Sequence, residues 1–272
     1  MLPCVFGGCA GEETTRRNAK LSMWHYRLGN DYLGKKKPEM AKGELLRALR
    51  YSEKNGEAHA LLGVILFYEG VHAMNFIDRR QCIKGDAAED QRRNANDVFR
   101  QSQKHLKRRI ELKQDGKSVD SETLNYLANV AMHFERFDDA IALTTKALSN
   151  MMYTGEHRAM STRGQAYFKR GDLKKAARDL RQAVFRQPKF CQARYWLAKT
   201  LHKQGKVGAA VRQLETLLKD KACPLQEAFQ LLGLCYLKQR DPGKARGLFE
   251  QCVTSNPKSC VSQECRRYAK LM

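Results

Sequence analysis

Small residues recur along this sequence at intervals of about 34 positions, and this pattern restricts the fold more than any other feature. The clearest copy is "RGQAYFKRGDLKKAARDLRQAVFRQP", in which Gly164 occupies what we call the eighth place. The equivalent places along the chain hold Gly29, Gly63, Ala128, Gly164, Ala198 and Gly233. Because small residues are needed where two helices approach closely, the series predicts a regular succession of helix contacts.

A second series predicts a partner helix in each unit. Twelve positions after the eighth place comes an alanine, and four positions after that alanine comes a larger side chain. In the second unit an insertion precedes both residues. The alanines are Ala41, Ala95, Ala140, Ala176, Ala210 and Ala245, and the larger residues are Leu45, Phe99, Thr144, Leu180, Leu214 and Phe249. The larger residue is expected to fill the gap between one helical pair and the next.

Together the two series resemble the tetratricopeptide repeat, a helix–turn–helix unit of about 34 residues. We therefore predict an all-α, right-handed superhelical solenoid of six repeats over residues 22–258, with an insertion in repeat two at about residues 71–90. A capping helix is expected at residues 259–272, because an array must cover its last apolar face. Pro188 and Pro257 should end second helices. The segments "RGDLKKA", "QGKVGAA" and "QRDPGKA" should form turns inside repeats, each with a glycine.

The chain is strongly basic, with 50 Lys and Arg against 29 Asp and Glu and a formal net charge of +21. The basic residues are spread along the whole chain, which favours a generally basic, solvated surface. Attraction to anionic lipid head groups or to an acidic partner is the alternative. No nucleic-acid-binding motif is found, so no nucleic-acid partner is expected. No run of about 18 apolar residues is found either, so no membrane span is predicted.

Candidate catalytic groups are scattered. The seven histidines form no Ser/His/Asp set, and no carboxylate pair stands out. No Cys-x-x-Cys or Cys/His spacing suggests a metal site. The sequence therefore predicts a protein that is not an enzyme, with no cofactor and no metal.

The remaining function of such an array is protein binding along the groove that its first helices line. Amides recur at the ninth place, and apolar residues recur at the twelfth, where they could bind a peptide backbone and its side chains. The predicted groove residues are Tyr26, Asn30, Leu33, Val64, Phe67, Asn125, Asn129, Met132, Gln165 and Phe168. The alternative is that these residues are contacts between repeats. A chaperone-tail clamp is disfavoured, because only Asn30 matches its five ligand positions.

The amino terminus, "MLPCVFGGC", is similar to the end of a bacterial lipoprotein signal. On this reading residues 1–9 are a remnant of the signal, Cys9 is the acylated residue, and residues 10–21 are a tether. Ala10 in place of aspartate favours the outer membrane. The alternative is a cytosolic amino terminus with a free thiol.

Nine cysteines are many for a chain of this length, and five lie in its last 50 residues. In an oxidising compartment we expect Cys252 to pair with Cys265, since the last repeat and the cap should face each other. Cys223 is an alternative partner. Cys191 and Cys235 are as readily explained as small apolar fillers.

Six repeats behind a lipobox-like cysteine resemble the type IV pilus biogenesis lipoproteins, the pilotins of the pilus secretin, and in particular their myxobacterial, Tgl-like branch. The resemblance rests on "VFGGC", on "YRLGNDYLGKKKPEMAKGELLRALRYSEKNGEAHALLGVILFYEG" and on "RRQCIKGDAAEDQRRNANDVFRQSQKHL". It implies a non-enzymatic protein, lipid-anchored to the outer membrane and facing the periplasm, that assists secretin subunits to multimerise. The alternatives are a generic repeat scaffold, cytosolic or periplasmic, and an outer-membrane repeat lipoprotein with another task.

Overall fold

The structure, a computed structural model, describes residues 8–113 and 120–272, and this part of the chain contains helices and no strand. The helices are α1 (Gly8–Gly34), α2 (Pro38–Tyr51), α3 (Gly56–Asn75), α4 (Asp86–Leu112), α5 (Ser121–His133), α6 (Phe137–Leu148), α7 (Glu156–Lys169), α8 (Leu173–Arg186), α9 (Cys191–Lys203), α10 (Val207–Lys219), α11 (Gln226–Lys238), α12 (Pro242–Ser255) and α13 (Cys260–Lys270). They form six antiparallel pairs followed by one further helix, so the predicted all-α repeat fold is confirmed.

The recurring glycines lie where the two helices of a pair touch. A Cβ atom added to Gly164 would lie 2.7 Å from Leu180 Cγ and 3.3 Å from the carbonyl oxygen of Ala176. The same test at Gly233 gives 2.8 Å to the ring of Phe249. These separations are too short for a real side chain, so the glycine allows the large residue of the second helix to pack directly on the backbone of the first.

First helices form an inner layer, and second helices form an outer one. Helices α3, α5, α7, α9 and α11 each contact the next first helix, whereas no contact joins α6 to α8 or α8 to α10. Neighbouring repeats are therefore closer together on the side of their first helices. This difference curves the array and makes the first helices its concave face.

Repeat two departs from the predicted register by seven residues. Gly63 faces Leu106, whose Cγ would lie 2.7 Å from an added Cβ, and Ser102 Oγ donates a 2.7 Å hydrogen bond to the Gly63 carbonyl. Ser102 therefore occupies the place of the recurring alanine, and Leu106 occupies the place of the larger residue. The assignment of these places to Ala95 and Phe99 is wrong. Seven residues are two helical turns, so both sets lie on the same face of α4 and show the same pattern.

The insertion of repeat two lengthens its helical pair. Helix α3 continues to Asn75 and into a π-helix, Phe76–Gln81, and α4 begins at Asp86. Phe99 packs on Gly70 in this added part, where a Cβ would lie 2.8 Å from its ring. The residues predicted as an insertion at 71–90 thus form the end of one helix, the π-helix and the start of the next helix.

This elongated pair reaches the other end of the chain. A disulfide joins Cys82 to Cys260 at the start of α13, 178 residues further along. Asn256 donates a 2.6 Å hydrogen bond to the carbonyl oxygen of Arg79, and the Arg79 guanidinium lies 3.0 Å from a Glu227 carboxylate oxygen. We call residues 76–85 the bridge. It converts an open solenoid into a closed ring of repeats.

Two more disulfides are present in the described part of the chain. Cys252 pairs with Cys265, the pairing that the sequence favours, and so links the last repeat to α13. Cys223 pairs with Cys191 and not with the cap. The reading of Cys191 as an unpaired filler is therefore wrong, whereas Cys235 is buried and unpaired.

Each regular pair turns through one residue with a positive φ. Gly171 and Gly205 have φ values of 87° and 77° in "RGDLKKA" and "QGKVGAA". In "QRDPGKA" the position is held by Arg240 (φ 61°), and Gly243 lies inside α12, so the expectation of a glycine in that turn is wrong. Glu135 takes the same conformation in repeat three, at φ 56°. The left-handed region costs a non-glycine residue about 1–2 kcal/mol, which the surrounding helix contacts must offset.

The predicted amino-terminal tether is helical. Residues 10–21 belong to α1, and those whose side chains are described are mostly exposed. From residue 12 onward, where the side chains of α1 are described, the first buried residue is Ser22, whose hydroxyl donates to the carbonyl oxygen of Ala48 at 2.7 Å. Of the predicted signal remnant at residues 1–9, residues 1–7 and the side chain of Cys9 lie outside the described part of the structure.

One helical segment, Gly56–Gln81, is long and apolar enough by composition to cross a bilayer, with a mean hydropathy of 1.5. The expectation that no segment passes this test is therefore wrong. In the fold, α3 packs against α4 and buries Leu62, Ile65 and Leu66, as the first helix of a repeat does.

Candidate protein-binding cavity

A cavity of about 520 Å³ opens on the concave face of repeats two to four. Its walls come from the lengthened part of α3, from α5 and α7, and from the segment that leads into α9. Phe67, Val71 and Met74 contribute one wall, and Phe190 and Gln192 stand at the opposite end. Because the walls belong to successive first helices, the spacing of the repeats sets the width of the cavity.

Aromatic rings make the wall between repeats two and three. The Phe67 ring lies 5.5 Å from that of Tyr126 and 5.9 Å from that of Phe99, both in edge-on arrangements. The hydroxyls of Tyr68 and Tyr126 are 3.3 Å apart. Burial and the neighbouring Tyr68 raise the pKa of Tyr126, so its hydroxyl stays protonated and available as a hydrogen-bond donor. The wall thus combines apolar area with two polar groups.

Amide and hydroxyl groups cover the side formed by α5 and α7. Asn129 Nδ2 donates to the carbonyl oxygen of Asn125 at 2.8 Å and to Thr162 Oγ1 at 3.2 Å. Gln165 Nε2 donates to Ser161 Oγ at 3.2 Å. The side-chain oxygen of Asn125 has no hydrogen-bond partner, although only 4% of the residue is exposed. This oxygen is itself enclosed, with less than 1 Å² of accessible surface, and a buried acceptor without a donor lowers the stability of the fold.

A carboxylate and a guanidinium mark the rim. Glu122 accepts hydrogen bonds from Tyr153 at 2.8 Å and from Arg158 at 3.0 Å. Burial and the nearby Glu122 raise the pKa of Tyr153, which keeps it protonated as a donor to that carboxylate. On the opposite wall the rings of His133 and Phe99 are stacked, with their centroids 3.8 Å apart. Burial lowers the pKa of His133, which favours the neutral imidazole. The rim is polar, and its charges largely compensate each other.

Half of the predicted groove residues line this cavity. These are Phe67, Asn125, Asn129, Met132 and Gln165. The other five lie elsewhere. Tyr26 and Leu33 pack against the core of repeats one and two, Val64 packs against the core between repeats two and three, Phe168 is buried beside Trp196, and Asn30 is exposed on α1.

Several residues of the cavity were missed by the sequence-based prediction. Tyr68, Val71 and Met74 belong to the lengthened helix α3, whose extra turns the repeat pattern does not contain. Glu122 lies three positions before Asn125, and Arg158 lies seven positions before Gln165, so the helical pitch places each on the same face as a predicted residue. The position of the insertion after Phe67, which is already a groove candidate, is the signal that points to the first group.

The bridge covers the rest of the concave face. Arg79 reaches Glu227 on α11, and burial together with Glu227 raises the pKa of Tyr195 on α9. The inner surface of repeats five and six is thus contacted by the chain itself, whereas the surface of repeats two to four remains available. Within the described residues no group of three or more His, Cys, Asp or Glu could hold a metal ion. The arrangement is suited to binding a short segment of a partner.

Comparison with known proteins supports the fold. The tetratricopeptide-repeat family model matches residues 161–224 and 198–259. No curated protein matches the chain. PilF of Pseudomonas aeruginosa is 16% identical over 92% of this chain and 98% of that chain, with a TM-score of 0.62. PilW, a widely conserved type IV pilus biogenesis factor, is 20% identical over 89% and 97%, with a TM-score of 0.66.

A third solved structure, YrrB, is a repeat protein with an unusual peptide-binding site. It is 15% identical over 82% of this chain and 97% of that chain, with a TM-score of 0.52. At these identities the likeness concerns the fold. The family match identifies residues 161–259 as tetratricopeptide repeats, and the six helical pairs give the described chain a fold that resembles those of the pilus biogenesis factor PilW and of PilF.

Proposed function

We propose that this protein is a non-enzymatic binding protein whose concave cavity holds a segment of a protein partner. The observation that carries the proposal is the cavity of about 520 Å³ in which the rings of Phe67, Tyr68 and Tyr126 lie opposite the amide and hydroxyl groups of α5 and α7. A peptide matches these two surfaces, because its backbone can form hydrogen bonds with the amide groups while an apolar side chain packs against the rings.

We further propose that the partner is a subunit of the type IV pilus secretin and that the protein assists its multimerisation. The similarity of the fold to PilW and PilF supports this choice. The three disulfides support an oxidising compartment such as the periplasm, since disulfides are rare in the cytosol. In this proposal the protein faces the periplasm from the outer membrane.

The proposed attachment is an acyl group on Cys9. The helix α1 begins at Gly8 and first enters the protein core at Ser22. Thirteen residues of helix span about 20 Å at 1.5 Å per residue. Helix α1 would therefore hold the repeats at a defined distance from the anchored residue, which is the role of the predicted tether in a more rigid form.

The cavity is tested with peptides that tile the periplasmic part of the secretin, using fluorescence anisotropy. We expect the double variant Tyr68→Ala, Gln165→Ala to lower the affinity for the peptide at least about tenfold, which corresponds to about 1.4 kcal/mol of binding free energy. The matched control is Tyr51→Ala with Asn30→Ala, because Tyr51 and Tyr68 are similarly exposed, at 41% and 48%, and neither control residue lines the cavity. Equal loss in both variants would contradict the cavity assignment.

The cellular role is tested separately with Cys9→Ala in a gene that carries its full natural leader. We expect the variant to leave the membrane fraction after a wash with high salt, which an acylated protein resists, and secretin multimers to decrease on gels. Membrane fractionation that does not change would contradict acylation of Cys9. Loss of the anchor with unchanged multimers would contradict the secretin role and favour a scaffold for another partner.

A further inference from the structure

The three most exposed large apolar residues of the described chain, apart from its last residues, lie together on one edge of the array. Met151 is 98% exposed, Met152 is 86% exposed and Phe185 is 83% exposed. The methionines lie in the loop from α6 to α7, and Phe185 lies in the last turn of α8. Arg186, beside Phe185, forms an ion pair at 3.1 Å with Glu156, which directly follows that loop. The three residues therefore lie on the same edge of the array.

The loop that carries Met151 and Met152 is firmly held. Asn150 Nδ2 donates to Ser121 Oγ at 3.2 Å, and its side-chain oxygen accepts from the Met152 backbone N–H at 3.0 Å. Tyr153 packs against the buried cluster of Leu124, Ala147 and Ala159. The neighbours on both sides are anchored, so the fold itself points the two methionines outward. Their exposure is a fixed feature of this edge.

We call this side of the molecule the loop edge: the carboxyl ends of the second helices together with the loops between repeats. Further apolar side chains lie on it at repeat one, where Met23, Trp24 and Tyr51 are 38%, 57% and 41% exposed. Asn55, in the loop after α2, donates a 2.9 Å hydrogen bond to Ser22, which places this part of α1 at the same level. The exposed start of α1 continues beyond it.

The loop edge is also basic. The last turns of five second helices carry Lys or Arg, namely Arg50, Arg109, Lys146, Arg186 and Lys219. Of these, Arg109 is mostly buried and pairs with Glu57 and Asp120, so the other four are the ones that face solvent. Exposed lysines follow in the loops at Lys54, Lys189, Lys221 and Lys258. The helix macrodipole favours cations at these ends and accounts for part of the pattern. It does not account for apolar side chains exposed among them.

We propose that the loop edge lies against the surface of an anionic lipid bilayer. Met151, Met152 and Phe185 would enter the boundary between head groups and acyl chains, and the surrounding lysines and arginines would bind lipid phosphates. The charge of the edge is complementary to such a surface. Exposed lysines at Lys54, Lys189 and Lys221 flank the apolar side chains, an arrangement that matches lipid phosphates lying above acyl chains. A bilayer therefore fits this edge better than a second protein surface does.

The proposal does not depend on acylation of Cys9, so the test uses the full oxidised chain without an acyl group. Sedimentation with vesicles of 30% phosphatidylglycerol in phosphatidylcholine is compared with sedimentation with phosphatidylcholine alone. We expect binding to the anionic vesicles that weakens as salt is raised. Replacing Met151, Met152 and Phe185 by serine should reduce this binding at least about tenfold.

The matched control replaces Met40, Leu46 and Leu271 by serine, because these residues are also exposed, at 47%, 45% and 77%, but lie away from the residues of the first variant. Both triple variants should keep the helicity of the parent and its affinity for a cavity peptide, which separates this test from that of the proposed function. No binding to anionic vesicles, or equal binding by the two variants, would overturn the proposal. Self-association that is lost in the Met151 variant, without vesicle binding, would assign the edge to a second copy.

Discussion

Repeats two and four follow the same packing rule with very different connections. In both, a glycine of the first helix faces a leucine of the second, as Gly63 with Leu106 and Gly164 with Leu180. In repeat four the two helices are joined by a tight turn at Gly171. In repeat two they are joined by added helical turns, the π-helix and the bridge. The comparison shows that the contact which defines a repeat tolerates a long insertion, provided that the insertion extends both helices together.

The added part of repeat two also supplies structural features that repeat four lacks. It supplies the aromatic and methionine wall of the cavity, and it carries the bridge to the last repeat and the cap. Repeat four supplies only the polar side of the same cavity through α7. A regular repeat thus provides a surface, whereas the irregular repeat gives that surface depth and closes the ring.

The largest effect is expected from breaking the bridge. Cys82→Ser with Cys260→Ser should lower the free energy of unfolding by about 4–5 kcal/mol, because a disulfide that closes a very long loop restricts the unfolded chain most. Cys252→Ser with Cys265→Ser, which opens a loop of 13 positions, should cost about 3 kcal/mol. Both are measured by urea denaturation of the oxidised protein. A larger loss for the shorter loop would contradict the role given to the bridge.

A smaller effect tests the register of repeat two. Leu106→Ala and Leu180→Ala should each cost about 3 kcal/mol, because both leucines are fully buried against a glycine. The loss is measured by the same denaturation experiment.

The register itself is tested by a double-mutant cycle. Gly63→Ala should destabilise the protein by about 1–3 kcal/mol, and Leu106→Ala should relieve part of that cost by removing the close contact. Phe99→Ala is the control, since Phe99 packs on Gly70 and not on Gly63. If the free-energy coupling joins Gly63 to Phe99 and not to Leu106, the register predicted from the sequence is correct and the register of the structure is wrong.

The smallest effect is a pH dependence that belongs to repeat two. Burial, His59 and Lys104 lower the pKa of His105 to about 4. The Nδ1 atoms of His59 and His105 are 2.8 Å apart, and Arg108, Glu53 and Glu111 are the charged groups around His59. A histidine whose pKa is lower in the folded than in the unfolded state stabilises the fold above about pH 6.5 and loses this contribution as the pH falls towards 4.

The effect is measured as the change in unfolding free energy between pH 7.5 and pH 5. We expect the parent to lose about 1–2 kcal/mol more than His105→Gln, after allowance for solvent screening of a half-exposed group. His72→Gln, which removes an exposed histidine of the same repeat, is the control, and it should follow the parent closely. An identical pH profile for the parent and His105→Gln would show that the charge at this position has no influence on stability.

The repeated part of the fold could be predicted because its contacts are local and periodic. Gly164 and Leu180 are 16 positions apart, and the same spacing returns in other repeats. The register of α4 could not be predicted, because buried residues at Ala95, Phe99, Ser102 and Leu106 repeat with a heptad spacing. Such a helix can be displaced by seven residues without changing its apolar face.

The site was predictable only in part for a related reason. Asn129, Met132 and Gln165 follow from the repeat pattern, because equivalent places of first helices line one face. Tyr68 and Met74 could not be found in this way, since they depend on where the insertion folds. The pairing of Cys82 with Cys260 was missed because residues so far apart leave no periodic trace.

The closed ring sets an order of events during biosynthesis. Cys82 emerges from the ribosome, and from any export channel, long before Cys260, which lies 178 positions later. In that interval Cys191 and Cys223 become available, only 32 positions from each other. Because short loops close more readily than long ones, the local pair can oxidise first and leave Cys82 as a reactive thiol. Completion of the protein therefore relies on an oxidant or isomerase that acts after the whole chain has been delivered.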